Sequence, residues 1–226
     1  MAGIGIYWIA LVPGIVTTLL FIALRVKKVS VPVLIMKAAA SVFFISTACA
    51  ALAVNSMALS YGLLIIIGLV CGLLGDIWLD LKYIYFQDGD LYLYAGFYSF
   101  FVGHLFFLAA IFTHYSWTPV TLALSIAPAL IGAAATVALE KPMKLNYGKF
   151  KPTCFIYGFI LMAMAASSIV AAVVTGETAW IVMSIGGVLF VLSDLMLSGT
   201  YFGEGKNTPV YVVTNHVLYY AAQFVI

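Results

Sequence analysis

Eight long apolar stretches take up most of this 226-residue chain: 4–24, 31–53, 61–81, 94–112, 119–139, 153–174, 180–199 and 210–226. A helix needs about 20 apolar residues to cross the hydrocarbon of a bilayer. Inside it every backbone N–H and C=O has to be satisfied within its own segment, so stretches of this length read as helices. The alternating strands of a membrane barrel, about ten residues each, do not occur. Composition agrees: 65% of the residues are apolar and 8% charged, whereas about a quarter of a soluble domain is charged. That excludes a soluble enzyme, a disordered chain and a nucleic-acid binder. It predicts an all-α, polytopic membrane protein, one transmembrane domain over 1–226 with eight helices and almost nothing outside the bilayer.

The ten basic residues test the count of spans. Arg25, Lys27 and Lys28 follow the first stretch, and Lys37 lies just inside the second. Lys82 follows the third, Lys141, Lys144, Lys149 and Lys151 lie between the fifth and sixth, and Lys206 lies between the seventh and eighth. With eight spans all of them fall on one side. The positive-inside rule makes that side cytoplasmic and puts both termini outside. The membrane would be the plasma (inner) membrane of a bacterium, or an internal one such as the endoplasmic reticulum of a eukaryote. The first stretch lacks a basic n-region and ends in a basic cluster, so it does not read as a cleaved signal peptide. Cys49, Cys71 and Cys154 fit neither a disulfide framework nor a zinc spacing and read as lone buried cysteines. Pro13-Gly14 and Pro128 read as kinks.

An ionisable side chain within the hydrocarbon is costly and is a functional candidate by default. Asp76 and Asp80 lie in the third stretch, His104 in the fourth, Asp194 in the seventh, His216 in the eighth and Lys37 in the second. Lys37 by itself reads as a snorkelling lysine. Asp80, one turn nearer the interface than Asp76, reads as a solvated helix end. Asp76 and Asp194 have no such escape. Gly75-Asp76-Ile77-Trp78-Leu79 and Ser193-Asp194-Leu195-Met196-Leu197 share the pattern small–Asp–x–x–Leu. A histidine follows in the next stretch both times, His104 at 28 residues and His216 at 22. The pattern predicts a parallel four-plus-four repeat, with both aspartates facing a shared central cavity.

Two buried carboxylates suit general acid–base work. Desolvation and mutual repulsion separate their proton affinities, so one can give a proton while the other activates water. His104 could orient the water or join the relay. No G-x-S-x-G is present, and no single helix carries an H-E-x-x-H pair, so neither a serine triad nor a metal or other cofactor is expected. With so little chain outside the bilayer, the fitting substrate is an amphiphile entering from the membrane. Tyr83, Tyr85, Tyr92, Tyr94 and Tyr98 read as an interfacial aromatic belt. Two other readings stay open at this point: a small-molecule or proton-coupled transporter, to which buried acids and repeats are also suited, and a zinc-dependent lipid hydrolase of the ceramidase-like type.

These segments resemble the lysoplasmalogenase family of membrane hydrolases, also called YhhN-like. The resemblance rests on Gly75-Asp76-x-x-Leu79 and on the phenylalanine-rich approach to His104, Phe100-Phe101-Val102-Gly103-His104-Leu105-Phe106-Phe107. It continues with Gly187-Val188-Leu189-Phe190-Val191-Leu192-Ser193-Asp194, Tyr219-Tyr220-Ala221-Ala222-Gln223 and Lys37. Their order and spacing hold along nearly the whole chain. The family's usual proline after that lysine is replaced by Ala38-Ala39-Ala40, and His216 lies outside the pattern. The resemblance implies hydrolysis of the vinyl ether bond of lysoplasmalogens, giving a fatty aldehyde and glycerophosphocholine or glycerophosphoethanolamine. The catalytic residues would be Asp76, Asp194 and His104. Lys37, Asp80, Ser193, Tyr219, Tyr220 and Gln223 would bind a lysophospholipid drawn from the bilayer.

Overall fold

The protein is described here by a computed structural model covering residues 5–54 and 59–226; position 4, where the first apolar stretch begins, and positions 55–58 lie outside the described residues. Among the described residues the chain forms eight α-helices and no β-strand. They are α1 Trp8–Arg25, α2 Val31–Val54, α3 Leu59–Ile84, α4 Gly89–His114, α5 Pro119–Ala138, α6 Lys151–Thr175, α7 Thr178–Phe202 and α8 Pro209–Val225. Helices α1 to α7 are each long and apolar enough to cross a membrane, and α8 has 17 residues. The chain is therefore an all-α, multi-pass membrane protein.

Each apolar stretch becomes one helix, but several helices outrun their stretch. α3 continues to Ile84, α4 begins at Gly89 and α7 continues to Phe202. Hydropathy marks where the hydrocarbon ends, whereas backbone hydrogen bonding carries on into the interface. There Asp90 in the first turn of α4 and Lys82 in the last turn of α3 match the signs of their helix ends. Pro13 and Pro128 both lie inside continuous helices. Cys49 is exposed and Cys71 and Cys154 are half-buried, so the cysteines are not the buried group expected. A thiol is small and apolar enough to sit against lipid as readily as inside a core.

The helices fall into two compact units, 1–110 and 111–226, four helices to each, with the division near the end of α4. In the first unit α1 packs on α2 and α2 on α3. The contact of α3 with α4 is set by glycines. A Cβ on Gly68 would stand 2.3 Å from the Phe107 ring and 3.0 Å from the Gly103 carbonyl oxygen, and a Cβ on Gly103 would stand 2.9 Å from the Gly68 carbonyl oxygen. Small residues let the two backbones meet, as is usual where no hydrophobic effect drives helices together in lipid. The buried face of α3 reads Ile65, Gly68, Leu69, Gly72, Gly75, Asp76, Leu79, Asp80, the three-and-four spacing of a helix stripe. Leu63, Ile67, Val70 and Leu74 face outward.

In the second unit α5, α6, α7 and α8 pack in chain order. Thr118 and Thr208 cap α5 and α8, each followed by proline at the first helical position. The threonine oxygen takes an otherwise unpaired N–H, and the proline has no N–H to leave unpaired. Gly176, at φ +67°, ends α6. The segment between α5 and α6 folds back on the end of α7. The Asn146 N–H donates to the Phe202 carbonyl at 2.8 Å, the Tyr147 ring packs on Phe202 at 5.0 Å, and the Lys206 ammonium donates to the Met143 carbonyl. Glu140 closes the segment, accepting from the Lys151 ammonium and the Tyr147 N–H, both at 2.7 Å. Lys151 foremost, with that N–H, holds its carboxyl below the usual carboxylate range. These ties fix the start of α6 against the end of α7.

Candidate active site

In the first unit, a spacing of four residues on two neighbouring helices builds a square of polar groups. Lys37 and Ser41 stand one turn apart on α2, and Asp76 and Asp80 one turn apart on α3, so each pair shares a face. The Lys37 ammonium lies 3.3 Å from Asp76 Oδ1, 3.3 Å from the Asp76 carbonyl oxygen and 3.4 Å from Asp80 Oδ1. Three acceptors thus face its three N–H groups. Ser41 donates to Asp76 Oδ2 at 2.6 Å. A second cation, Arg25 at the end of α1, reaches Asp80 Oδ1 at 3.5 Å. Lys37 is 4% exposed, Asp76 2% and Asp80 1%.

Two readings are corrected here. Lys37 does not snorkel, and Asp80 is not a solvated helix end. Burying either charge alone would be prohibitive, and each is buried because the other is within reach. His104, also buried, projects from α4 with Nδ1 2.7 Å from the Phe100 carbonyl oxygen, so Nδ1 carries the proton that it donates. The edge of Phe107 packs against its ring at 5.7 Å.

In the second unit Asp194 on α7 is half-buried, and the Tyr157 hydroxyl of α6 donates to its Oδ2. The neighbouring Ser193 is taken up by α8. Asn215 Nδ2 donates to the Ser193 carbonyl at 2.9 Å and to its hydroxyl oxygen at 3.0 Å, and that hydroxyl returns a bond to the Asn215 carbonyl at 3.3 Å. Further along α8, Gln223 Nε2 donates to the Tyr219 hydroxyl at 2.8 Å. The Tyr219 ring lies edge-on to Phe190 at 5.5 Å and to Tyr220 at 5.0 Å. Val212, Asn215, His216, Tyr219, Tyr220 and Gln223 form the buried stripe of α8. His216 Nδ1 sits 2.7 Å from its own Val212 carbonyl oxygen.

Helix packing within each unit corrects the histidine half of the repeat. Gly68 stands eight residues before Asp76, and Gly186 eight before Asp194. Gly68 meets the Gly103 carbonyl of α4, and a Cβ on Gly186 would stand 3.4 Å from the Ala222 carbonyl oxygen of α8. Gly103 therefore matches Ala222, and His104 matches Gln223, not His216. The sequences agree once aligned this way: Phe100-Phe101-Val102-Gly103-His104 lies over Tyr219-Tyr220-Ala221-Ala222-Gln223, 28 residues after Asp76 and 29 after Asp194. Both aspartates also stand eight residues before the end of their helix, and both take a polar partner from the helix before.

Four polar partners escaped the sequence reading: Arg25, Ser41, Tyr157 and Asn215. Ser41 was within reach of it, since it follows Lys37 at the same spacing as Asp80 follows Asp76. Arg25 is hidden in a run with Lys27 and Lys28, and only packing separates it from those exposed neighbours. Tyr157 is one of many tyrosines in the chain, and Asn215 lies in Thr214-Asn215-His216, where the histidine is the more conspicuous residue, so neither carries a local signal of its own. Among the described residues, no three of His, Cys, Asp and Glu are placed to hold a metal ion together.

Fold and site together define a class, that of multi-pass helical membrane proteins carrying acidic side chains inside their helix packing. Within that class the chain belongs to the YhhN family, whose model matches residues 33–226, α2 to the last residue. No curated protein and no solved structure matches the chain.

Proposed function

We propose that the protein is a lysoplasmalogenase, which cleaves the vinyl ether bond of alkenyl glycerophosphocholine or glycerophosphoethanolamine drawn from the bilayer. The observation that carries this reading is the unequal bonding of two aspartates at matching places in the two units. Asp76 is bonded to an ammonium and a serine hydroxyl, while Asp194 is bonded to a phenol. Carboxylates in different surroundings can divide the acid and base roles. Membership of the family supports the same reaction.

One aspartic acid gives its proton to the β-carbon of the vinyl ether, leaving an oxocarbenium ion. The other, as carboxylate, stabilises that cation and takes a proton from the water that attacks it. The hemiacetal then breaks at the carbon–oxygen bond to glycerol. The aspartic acid formed in the water step returns its proton to the glycerol oxygen, which leaves as an alcohol. The first aspartate takes the hemiacetal hydroxyl proton as the fatty aldehyde forms, which restores both groups. His104, Tyr219, Tyr220 and Gln223 position water or substrate, and Lys37, Asp80 and Ser193 hold the aspartates and head group in place. In this reading the basic helix ends face the cytoplasm and both termini the other side.

The test is aldehyde release by the purified protein from a lysoplasmalogen, with Asp76→Asn and Asp194→Asn alongside. The wild type releases aldehyde, and each variant, folded, loses about a hundredfold or more. Near-normal turnover by either folded variant sinks the paired-carboxylate mechanism. Cleavage of an acyl lysolipid without aldehyde release from the vinyl ether sinks the substrate assignment.

A further inference from the structure

Arg25 is the last residue of α1 and precedes the residues matched by the family model. It nevertheless lies inside the first unit, 9% exposed, with one guanidinium nitrogen on Asp80. Its Nε has no partner among the described residues. A buried charged donor without an acceptor is expensive, and it is the kind of group that an anionic oxygen from a ligand satisfies. A second cation stands nearby. Arg25 Cζ lies 5.0 Å from the centroid of the Tyr83 ring, and Lys82 Nζ lies 4.9 Å from the same centroid. Two like charges around one ring repel each other, and an anion lying against both relieves the repulsion. Asp80 cannot fill that role alone, since its Oδ1 is shared with Lys37. Asp90 lies close enough to Lys82 to act on its charge but leaves the Arg25 Nε unmet. These groups sit at the ends of α1 and α3, where lipid phosphates lie in a bilayer.

We infer that Arg25 and Lys82, set around Tyr83, form the subsite that receives the phosphodiester of the lysolipid. This inference rests on the lysoplasmalogenase reading above. Arg25 supplies its free Nε–H to a phosphate oxygen while Asp80 holds the guanidinium from the inner side. Lys82 supplies a second, more exposed charge. The vinyl ether, attached through the glycerol, is thereby presented toward the interior of the helix packing, and the apolar chain stays in lipid.

Binding, which needs no cleavage, is the test. The probes are an alkyl-ether lysophosphocholine, an alkylglycerol of the same chain length and free glycerophosphocholine. The wild-type protein binds the lysophosphocholine about tenfold more tightly than the alkylglycerol. Arg25→Gln loses about tenfold for the lysophosphocholine and nothing for the alkylglycerol. Arg25→Lys, which keeps the charge but has no Nε–H, loses nearly as much as Arg25→Gln, and Lys82→Gln, at the more exposed edge, loses about threefold. Unchanged binding in both glutamine variants overturns the subsite. So does an equal loss for both lipids in Arg25→Gln, which marks a residue needed only for folding. Free glycerophosphocholine binding as tightly as the lysolipid overturns the lipid source. If the phosphate preference holds but the wild type releases no aldehyde from a vinyl ether, the subsite stands and the lysoplasmalogenase reading fails.

Discussion

The Lys37 ammonium lies 3.3 Å from the Asp76 carboxylate, and both side chains are almost wholly buried. A buried pair is weak evidence of net stability, but removing one partner strands the other charge at about 3–5 kcal/mol. Lys37→Met strands the Asp76 carboxylate and leaves Asp80 with Arg25 alone. In a chain of this size that lowers the melting temperature in detergent by about 10 °C. Adding Asp76→Asn removes the stranded charge and recovers part of the loss. A single Lys37→Met variant that melts with the wild type, or a double variant that melts lower than the single, contradicts the charge square.

Tyr157 and Asp194 give the second unit a test of its own. The phenol is the donor that the structure places on Asp194 Oδ2, and a hydrogen bond contributes about 0.5–1.5 kcal/mol net. Tyr157→Phe removes that donor and changes little in volume. Under the proposed function it lowers kcat about tenfold with KM nearly unchanged, because the bond positions a reacting group rather than the lipid. A Tyr157→Phe variant with normal kcat and a lowered melting temperature would make the tyrosine purely structural.

Much of this arrangement was legible in the sequence because hydrocarbon leaves a chain few choices. All eight helices could be read from apolar length, and Asp76, Asp194 and His104 stood out because charge is scarce there. What could not be read was pairing. Lys37 looks like a snorkelling lysine and Asp80 like a wet helix end only while each is considered alone. Their burial follows from α2 lying against α3. The pairing of His104 with His216 failed for the opposite reason. Likeness of residue type drew the eye to the wrong turn of α8, while the close approach of Gly186 to Ala222 selects Gln223. The repeat matches small residues at helix crossings more faithfully than it matches chemistry.

Glycines at those crossings separate packing from propensity. In Gly103→Ala the new Cβ stands 2.9 Å from the Gly68 carbonyl oxygen, a backbone atom that cannot turn aside. The helices have to part beside His104, and overpacking of this kind costs about 1–3 kcal/mol. At Gly158 on α6 the nearest atom is Thr136 Oγ1 at 3.8 Å, an ordinary contact. There alanine adds helix propensity of about 1 kcal/mol and meets no clash. Gly103→Ala melts below the wild type and Gly158→Ala at or above it. The reverse order would show that the α3–α4 approach is not close.

Glu140 provides a titration outside the membrane spans. The Lys151 ammonium and the Tyr147 N–H hold its carboxyl below the usual range in the folded protein, so the unfolded chain binds this proton more readily. The stabilisation is therefore fully present above the unfolded carboxyl value, about pH 4.3. It is lost as pH falls through the lower folded value. Glu140→Gln removes the titration and leaves Lys151 without its carboxylate partner. Melting temperature measured from pH 7 down to about pH 3 in detergent separates the two proteins. The wild type starts higher, and the gap closes only in the acid range. If the gap is constant down to the lowest pH, the segment between α5 and α6 is not held by an ionised Glu140.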